Sequence, residues 1–372
     1  MSVNTLTVTA GEALRTLRAG WQAQAADGPK FAFMLHGRPG VGKTQIVQQL
    51  SDEIGARLFD LRLTTIEPQD LRGLPYYDHE TRRTLWYRPE DLPDDPSQPS
   101  ILFLDELTAA APQIQPTVYG LLQERRVGRH SLPDSVFLVA AGNTVEDGAV
   151  AYEMGTALSD RLVHLLVRAG ASDWLENFAV PQGLDPAVIA FIRTRPDLLE
   201  TSERALAADQ LIAATPRAWE RVGQITASIP DKRLRDIMIA GTVGEATAAE
   251  FALVADEIAA SVRVDEMLAA DSAHRLDLYP ESLHGLHALL YGLVAVLDRQ
   301  NANDVVAIMA GIRTLAADRS EGGFARMPLA ELCTYGFEML IKKGLDLGLG
   351  DVFLAHPAYK AYAAAREAQG LA

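Results

Sequence analysis

Phe31-Ala32-Phe33-Met34-Leu35-His36-Gly37-Arg38-Pro39-Gly40-Val41-Gly42-Lys43-Thr44 is the stretch from which the rest of the chain is read. Phe31 to Leu35 is an apolar run of strand length, and a helix is expected from Lys43 to Ile54, with a glycine-rich turn between them. Gly37 to Thr44 fits G-x-x-x-x-G-K-[ST], a pattern that gains its meaning from lying between a strand and a helix. Gly37, Gly40 and Gly42 allow backbone N–H groups to turn inward around phosphate oxygens. Pro39 and Val41 complete the loop, and the helix's amino end adds its positive pole. Lys43 suits the outer phosphates, and the Thr44 hydroxyl suits Mg2+. A chance glycine turn before an unrelated helix is the competing explanation, and the strand–loop–helix context speaks against it.

Downstream, Ile101-Leu102-Phe103-Leu104-Asp105-Glu106 is an apolar strand ending in two acids. Asp105 is expected to hold the metal's water shell and Glu106 to polarise an attacking water. Val136 to Ala141 reads as another buried strand, with Gly142-Asn143 at its tip. Asn after Gly is ordinarily turn chemistry, but its order after the acids favours a sensor role for Asn143. Arg161, in Leu158-Ser159-Asp160-Arg161-Leu162, lies where a helix hands over to a strand and is expected to face a neighbour. A guanidinium offered in trans stabilises the charge of phosphoryl transfer, whereas an ion pair with Asp160 is the plain alternative. Arg125 and Arg126 are lesser candidates for intersubunit contacts. In Thr215-Pro216-Arg217, Thr215 suits a helix cap and Pro216 the first helical position, which puts Arg217 on the first turn, aimed at a phosphate if a lid covers the site.

Strands expected over Phe31–Leu35, Leu58–Leu63, Ile101–Leu104, Val136–Ala141 and Leu162–Val167 are separated by helices, after a first helix from about Thr9 to Gln24. This pattern predicts an α/β fold: a mostly parallel sheet with helices on both faces over residues 1–170. An all-α lid is expected over 171–270, including a helical block from Leu234 to Leu268. A helical region of no assigned role follows over 271–372. Tyr76 to Tyr87 reads as a hairpin with aromatic strands. Its aromatics, with Leu71 and Leu74, are candidates to grip a partner polypeptide, against simple packing on the sheet edge. His284 and His287 are three apart on a helix but lack partners for a metal site, and Cys333 is expected to be buried and inert.

The chain has 372 residues, 48% hydrophobic and 22% charged, enough for two or three packed units. Its 34 basic and 49 acidic side chains give a net charge of −15, which argues against a nucleic-acid binder reliant on a basic face. No apolar run is long enough for a membrane span. The single cysteine and the lack of an export signal lead to a cytoplasmic expectation.

Together these motifs resemble the AAA+ superfamily of P-loop NTPases, and within it the MoxR-type branch, over about residues 10 to 225. Ala141-Gly142-Asn143, Asp160-Arg161 and Thr215-Pro216-Arg217-Ala218-Trp219 carry the likeness beyond the phosphate loop, and Thr64 to Pro75 is similar to an insertion of that branch which faces a ring axis. The resemblance implies a hexameric ring that uses ATP and Mg2+ to remodel or activate protein partners, often proteins with a von Willebrand factor A domain. Arg38 stands where the family often has proline and Leu162 where it often has phenylalanine, and Arg217 is left open between its own subunit's nucleotide and a neighbour's. Two rivals are a nucleic-acid-linked motor or nuclease subunit and a nucleotide-gated scaffold with little turnover.

Overall fold

The computed structural model describes residues 3–144, 159–319 and 323–368. Its strands are β1 (Thr7–Val8), β2 (Ala32–His36), β3 (Arg57–Arg62), β4 (Pro75–Asp78), β5 (Arg83–Trp86), β6 (Ser100–Asp105), β7 (Arg126–Val127), β8 (His130–Ser131), β9 (Val136–Gly142) and β10 (Val163–Val167). Six of them form one sheet in the order β1-β10-β2-β9-β6-β3, and every pair in it is parallel. The expected α/β architecture with helices on both faces is therefore present. β1 is an addition to the expected strands: two residues at the sheet edge, paired with Leu166 and Val167.

The alternation of side chains along each buried strand builds two cores. Ala32, Met34, Leu102, Leu104, Leu138 and Ala140 point to one face, where Val118, Leu121 and Leu122 of helix Gln115–Glu124 cover them. Phe33, Leu35, Ile101, Phe103, Phe137 and Val139 point to the other, beneath helices Ala10–Ala25 and Lys43–Ile54. Strand residues buried on both faces need a continuous apolar run, which is why β2, β6 and β9 were legible as strands.

The chain divides into two compact units: Met1–Asp173 with Glu203–Gln210 and Thr215–Arg217, and the remainder. The second unit is helical, and the sequence boundary near residue 270 falls inside it. Its helix Leu283–Val296 packs on Pro186–Thr194, Glu245–Ser261 and Leu329–Asp346. The rings of Phe191, Trp219 and Phe251 meet at 5.3 to 5.6 Å, and Trp219 Nε1 donates to Leu198 O at 2.9 Å. The helical block expected from Leu234 to Leu268 is instead three helices, Lys232–Val243, Glu245–Ser261 and Val264–Ala269. Gly244, at φ 87°, makes the first break. His287 is buried and its Nδ1 lies 3.0 Å from Leu283 O, while Cys333 is buried against Met309 O, where burial pushes its thiol up to about 11. Among the described residues no group of His, Cys, Asp and Glu is arranged to hold a metal, and no helix is long and apolar enough to cross a membrane.

Candidate functional site

Because the sheet is parallel, β2, β6 and β9 end at one edge, where the connections after them converge. β2 runs through His36 into the loop of residues 37–42 and then into helix Lys43–Ile54, whose cap Gly42 has φ 103°. The Lys43 ammonium donates to Gly37 O, to Arg38 O at 3.2 Å and to Asn143 Oδ1 at 3.0 Å. The Thr44 hydroxyl points at Asp105 Oδ2, 3.4 Å away, and Asp105 Oδ1 accepts the Glu106 N–H at 2.8 Å. Asp105 is 7% exposed. The glycine-rich loop, the acid pair and Asn143 are thus brought together at one edge of the sheet.

A hydroxyl and a carboxylate turned toward one another are an oxygen donor set, which suits a hard divalent cation such as Mg2+. Partial burial, with the Asp105 carboxylate close by, holds the Asp60 carboxyl above its usual range despite Arg62. Glu106 sits in the left-handed region at φ 59°, a conformation that costs about 1 kcal/mol or more in a non-glycine residue and is concentrated at functional sites. Its carboxylate accepts the Thr64 hydroxyl and lies 3.9 Å from Arg62. Neither Thr64 nor Asp60 was singled out for the site from sequence, because only strand pairing brings β3 beside β6.

Arg217 meets the loop within the same chain: its N–H donates to Gly40 O at 3.3 Å. Gly40, at φ 82°, packs so closely that a Cβ there would lie 2.8 Å from Thr215 Oγ1. Arg38, only 14% exposed, pairs with Glu203 at 3.3 Å. Arg161 is exposed in the turn 159–162, closed by Leu162 N–H to Ser159 O at 3.2 Å, ahead of β10 and so at the opposite edge of the sheet from the phosphate loop.

Two expectations need correction. Arg125 is turned inward, donating to Val136 O and to Pro133 O, and burial pushes its pKa down, so it is not offered to a neighbour. Leu71 is 1% exposed within the core and cannot grip a partner, whereas Leu74 is 67% exposed. The expected hairpin is present as β4 and β5, with Tyr76 stacked on Tyr87 at 4.4 Å and Tyr77 73% exposed.

Residues 32–162 match the family model described as AAA domain, dynein-related subfamily. The Bacillus subtilis protein YeaC is 30% identical over 156 residues, 41% of this chain and 46% of YeaC. The mouse ATPase family gene 2 protein homolog B is 36% identical over 115 residues, 31% of this chain and 13% of the mouse protein. The chain thus spans less than half the length of the curated relatives it matches. Solved structures aligned to it include a protein from Cytophaga hutchinsonii described as a putative ATPase (13% identity, 88% of this chain and 81% of that one, TM-score 0.32). Another is the Thermotoga maritima RuvB Holliday junction branch migration motor (13% identity, 95% and 87%, TM-score 0.31).

Proposed function

We propose, from the match of residues 32–162 to the AAA domain model, that the chain binds and hydrolyses ATP with Mg2+ in a ring, as a hexamer of the MoxR type. The work of hydrolysis is spent on remodelling or activating protein partners, with von Willebrand factor A domain proteins as the first class to test. The ATPase-named relative supports hydrolysis, and the convergence of Lys43, Thr44, Asp105 and Asn143 at one sheet edge carries the reading.

Each residue has a distinct task. The loop Gly37, Pro39, Gly40, Val41 and Gly42 surrounds the phosphates with backbone N–H groups, and Lys43 neutralises the outer ones. Thr44 and Asp105 hold Mg2+, which when bound neutralises charge on the phosphate oxygens. Glu106 polarises the attacking water and Asn143 orients it. The hydrogen bond from Arg217 N–H to Gly40 O favours Arg217 acting on its own subunit's nucleotide. The position of Arg161 ahead of β10 favours action on a neighbour's, where such a residue is worth about a thousandfold or more in turnover.

Glu106→Gln is expected to bind ATP and hydrolyse it at least about a hundredfold more slowly, and to retain a protein client on affinity capture only when ATP is present. Normal turnover in that variant sinks the assignment of Glu106. Nucleotide-dependent retention of DNA or RNA, with salt-sensitive stimulation of hydrolysis, would favour a nucleic-acid motor instead.

A further inference from the structure

His36 and His164 form a pair between β2 and β10. His36 is the last residue of β2, directly before Gly37, and is 6% exposed. His164 is the second residue of β10 and lies across from Met34, so the two rings occupy one face of the sheet, offset diagonally. His36 Nε2 is 2.8 Å from His164 Nδ1, and the rings stack at 5.1 Å. The far nitrogen of His164, Nε2, is 2.9 Å from Ser159 O and 3.1 Å from Ser159 Oγ.

Hydrogen-bond direction follows from the end of the chain. A carbonyl oxygen only accepts, so His164 Nε2 carries its proton; in the neutral ring Nδ1 then accepts, and His36 Nε2–H donates to it. The carbonyl at the end, Ser159 O, is the one that closes the turn around Asp160 and Arg161.

We propose that His36 and His164 are positioning residues, a side-chain relay that ties the phosphate loop of one subunit to the turn from which Arg161 reaches the next subunit's nucleotide. This rests on Arg161 acting in trans. A guanidinium stabilises transferred charge only when held in place, and a misplacement of about 1 Å can cost up to about a hundredfold in rate. The relay supplies the holding through Ser159 O, and it lets the state of the loop after His36 bear on the arginine given to the neighbour.

The test uses mixed assemblies of the full chain. Glu106→Gln subunits have a dead site but an intact Arg161; Arg161→Ala subunits have an intact site but no arginine to give. Mixing them is expected to yield turnover above the sum of the two alone. Adding His164→Ala to the Glu106→Gln partner should cut that gain at least about tenfold, while adding it to the Arg161→Ala partner should leave most of the gain. In the Glu106→Gln partner, His36→Gln, which keeps an N–H donor, should preserve the gain and His36→Leu should lose it. A loss equal in both partners, or in neither, overturns the relay while leaving Arg161 in trans intact. No gain from the parent mixture overturns Arg161 in trans and the relay with it.

Discussion

Replacing Gly40 with alanine separates two causes that act at one atom. Gly40 has φ 82°, and a left-handed conformation costs a residue with a Cβ about 1–2 kcal/mol. The new Cβ would lie 2.8 Å from Thr215 Oγ1 and 3.1 Å from Thr215 Cβ, so Thr215 must move, putting at risk the Arg217 N–H bond to Gly40 O, worth about 1 kcal/mol. Opposing both, alanine reduces the freedom of the unfolded chain by about 0.4–1 kcal/mol. Strain wins, leaving the observed loop conformation about 1–2 kcal/mol less favourable. If only that conformation takes ATP, the competent fraction falls and apparent ATP affinity weakens by up to about fivefold to thirtyfold. Titration calorimetry with ATP and Mg2+ measures it, and a cycle with Thr215→Ala apportions it. The double variant should regain the part of the steric cost that comes from Thr215 Oγ1 and retain the φ part and the Cβ contact, so that it is less impaired than the sum of the single variants. Unchanged affinity in Gly40→Ala, or strict additivity with Thr215→Ala, would refute the claim that Gly40 is held against Thr215.

Arg125→Ala should lower stability by about 2 kcal/mol, because it removes the donor to Val136 O and Pro133 O. Arg126→Ala, at an exposed pair with Glu124, should stay within about 0.5 kcal/mol in denaturant titration. Leu71→Ala should cost about 2–5 kcal/mol and Leu74→Ala close to nothing, which the same titration reads. Burial holds His287 down at about 4 against an ordinary 6.5, so the unfolded chain binds the extra proton between those values. Stability from this residue is complete above about pH 6.5 and is lost as pH falls toward 4, by up to about 3 kcal/mol. His287→Gln should flatten that part of the pH–stability curve.

What the sequence disclosed and what it withheld divide along physical lines. β2, β6 and β9 are buried on both faces, so their apolar runs announced them, and the Gly–Lys–Thr spacing named the loop between β2 and its helix. The two-residue β1 carries no periodicity of its own; only its pairing with β10 makes it a strand. Leu71 lies in the five-residue helix Pro68–Arg72 and Leu74 just past its Gly73 cap, a stretch too short for a pattern to say which faces inward. Gly244 was the visible sign that residues 234–268 are not one helix. His36 and His164 are 128 positions apart, and their meeting depends on the register of β2 against β10, which no local pattern encodes.

The proposed activity depends on a nucleoside triphosphate and its metal being gripped between Lys43, Thr44 and Asp105. Phosphate release from ATP, followed with and without Mg2+ for the native chain and for Lys43→Ala, tests it most directly. Release is expected to need the metal and to disappear in Lys43→Ala. Release indifferent to either would contradict that grip.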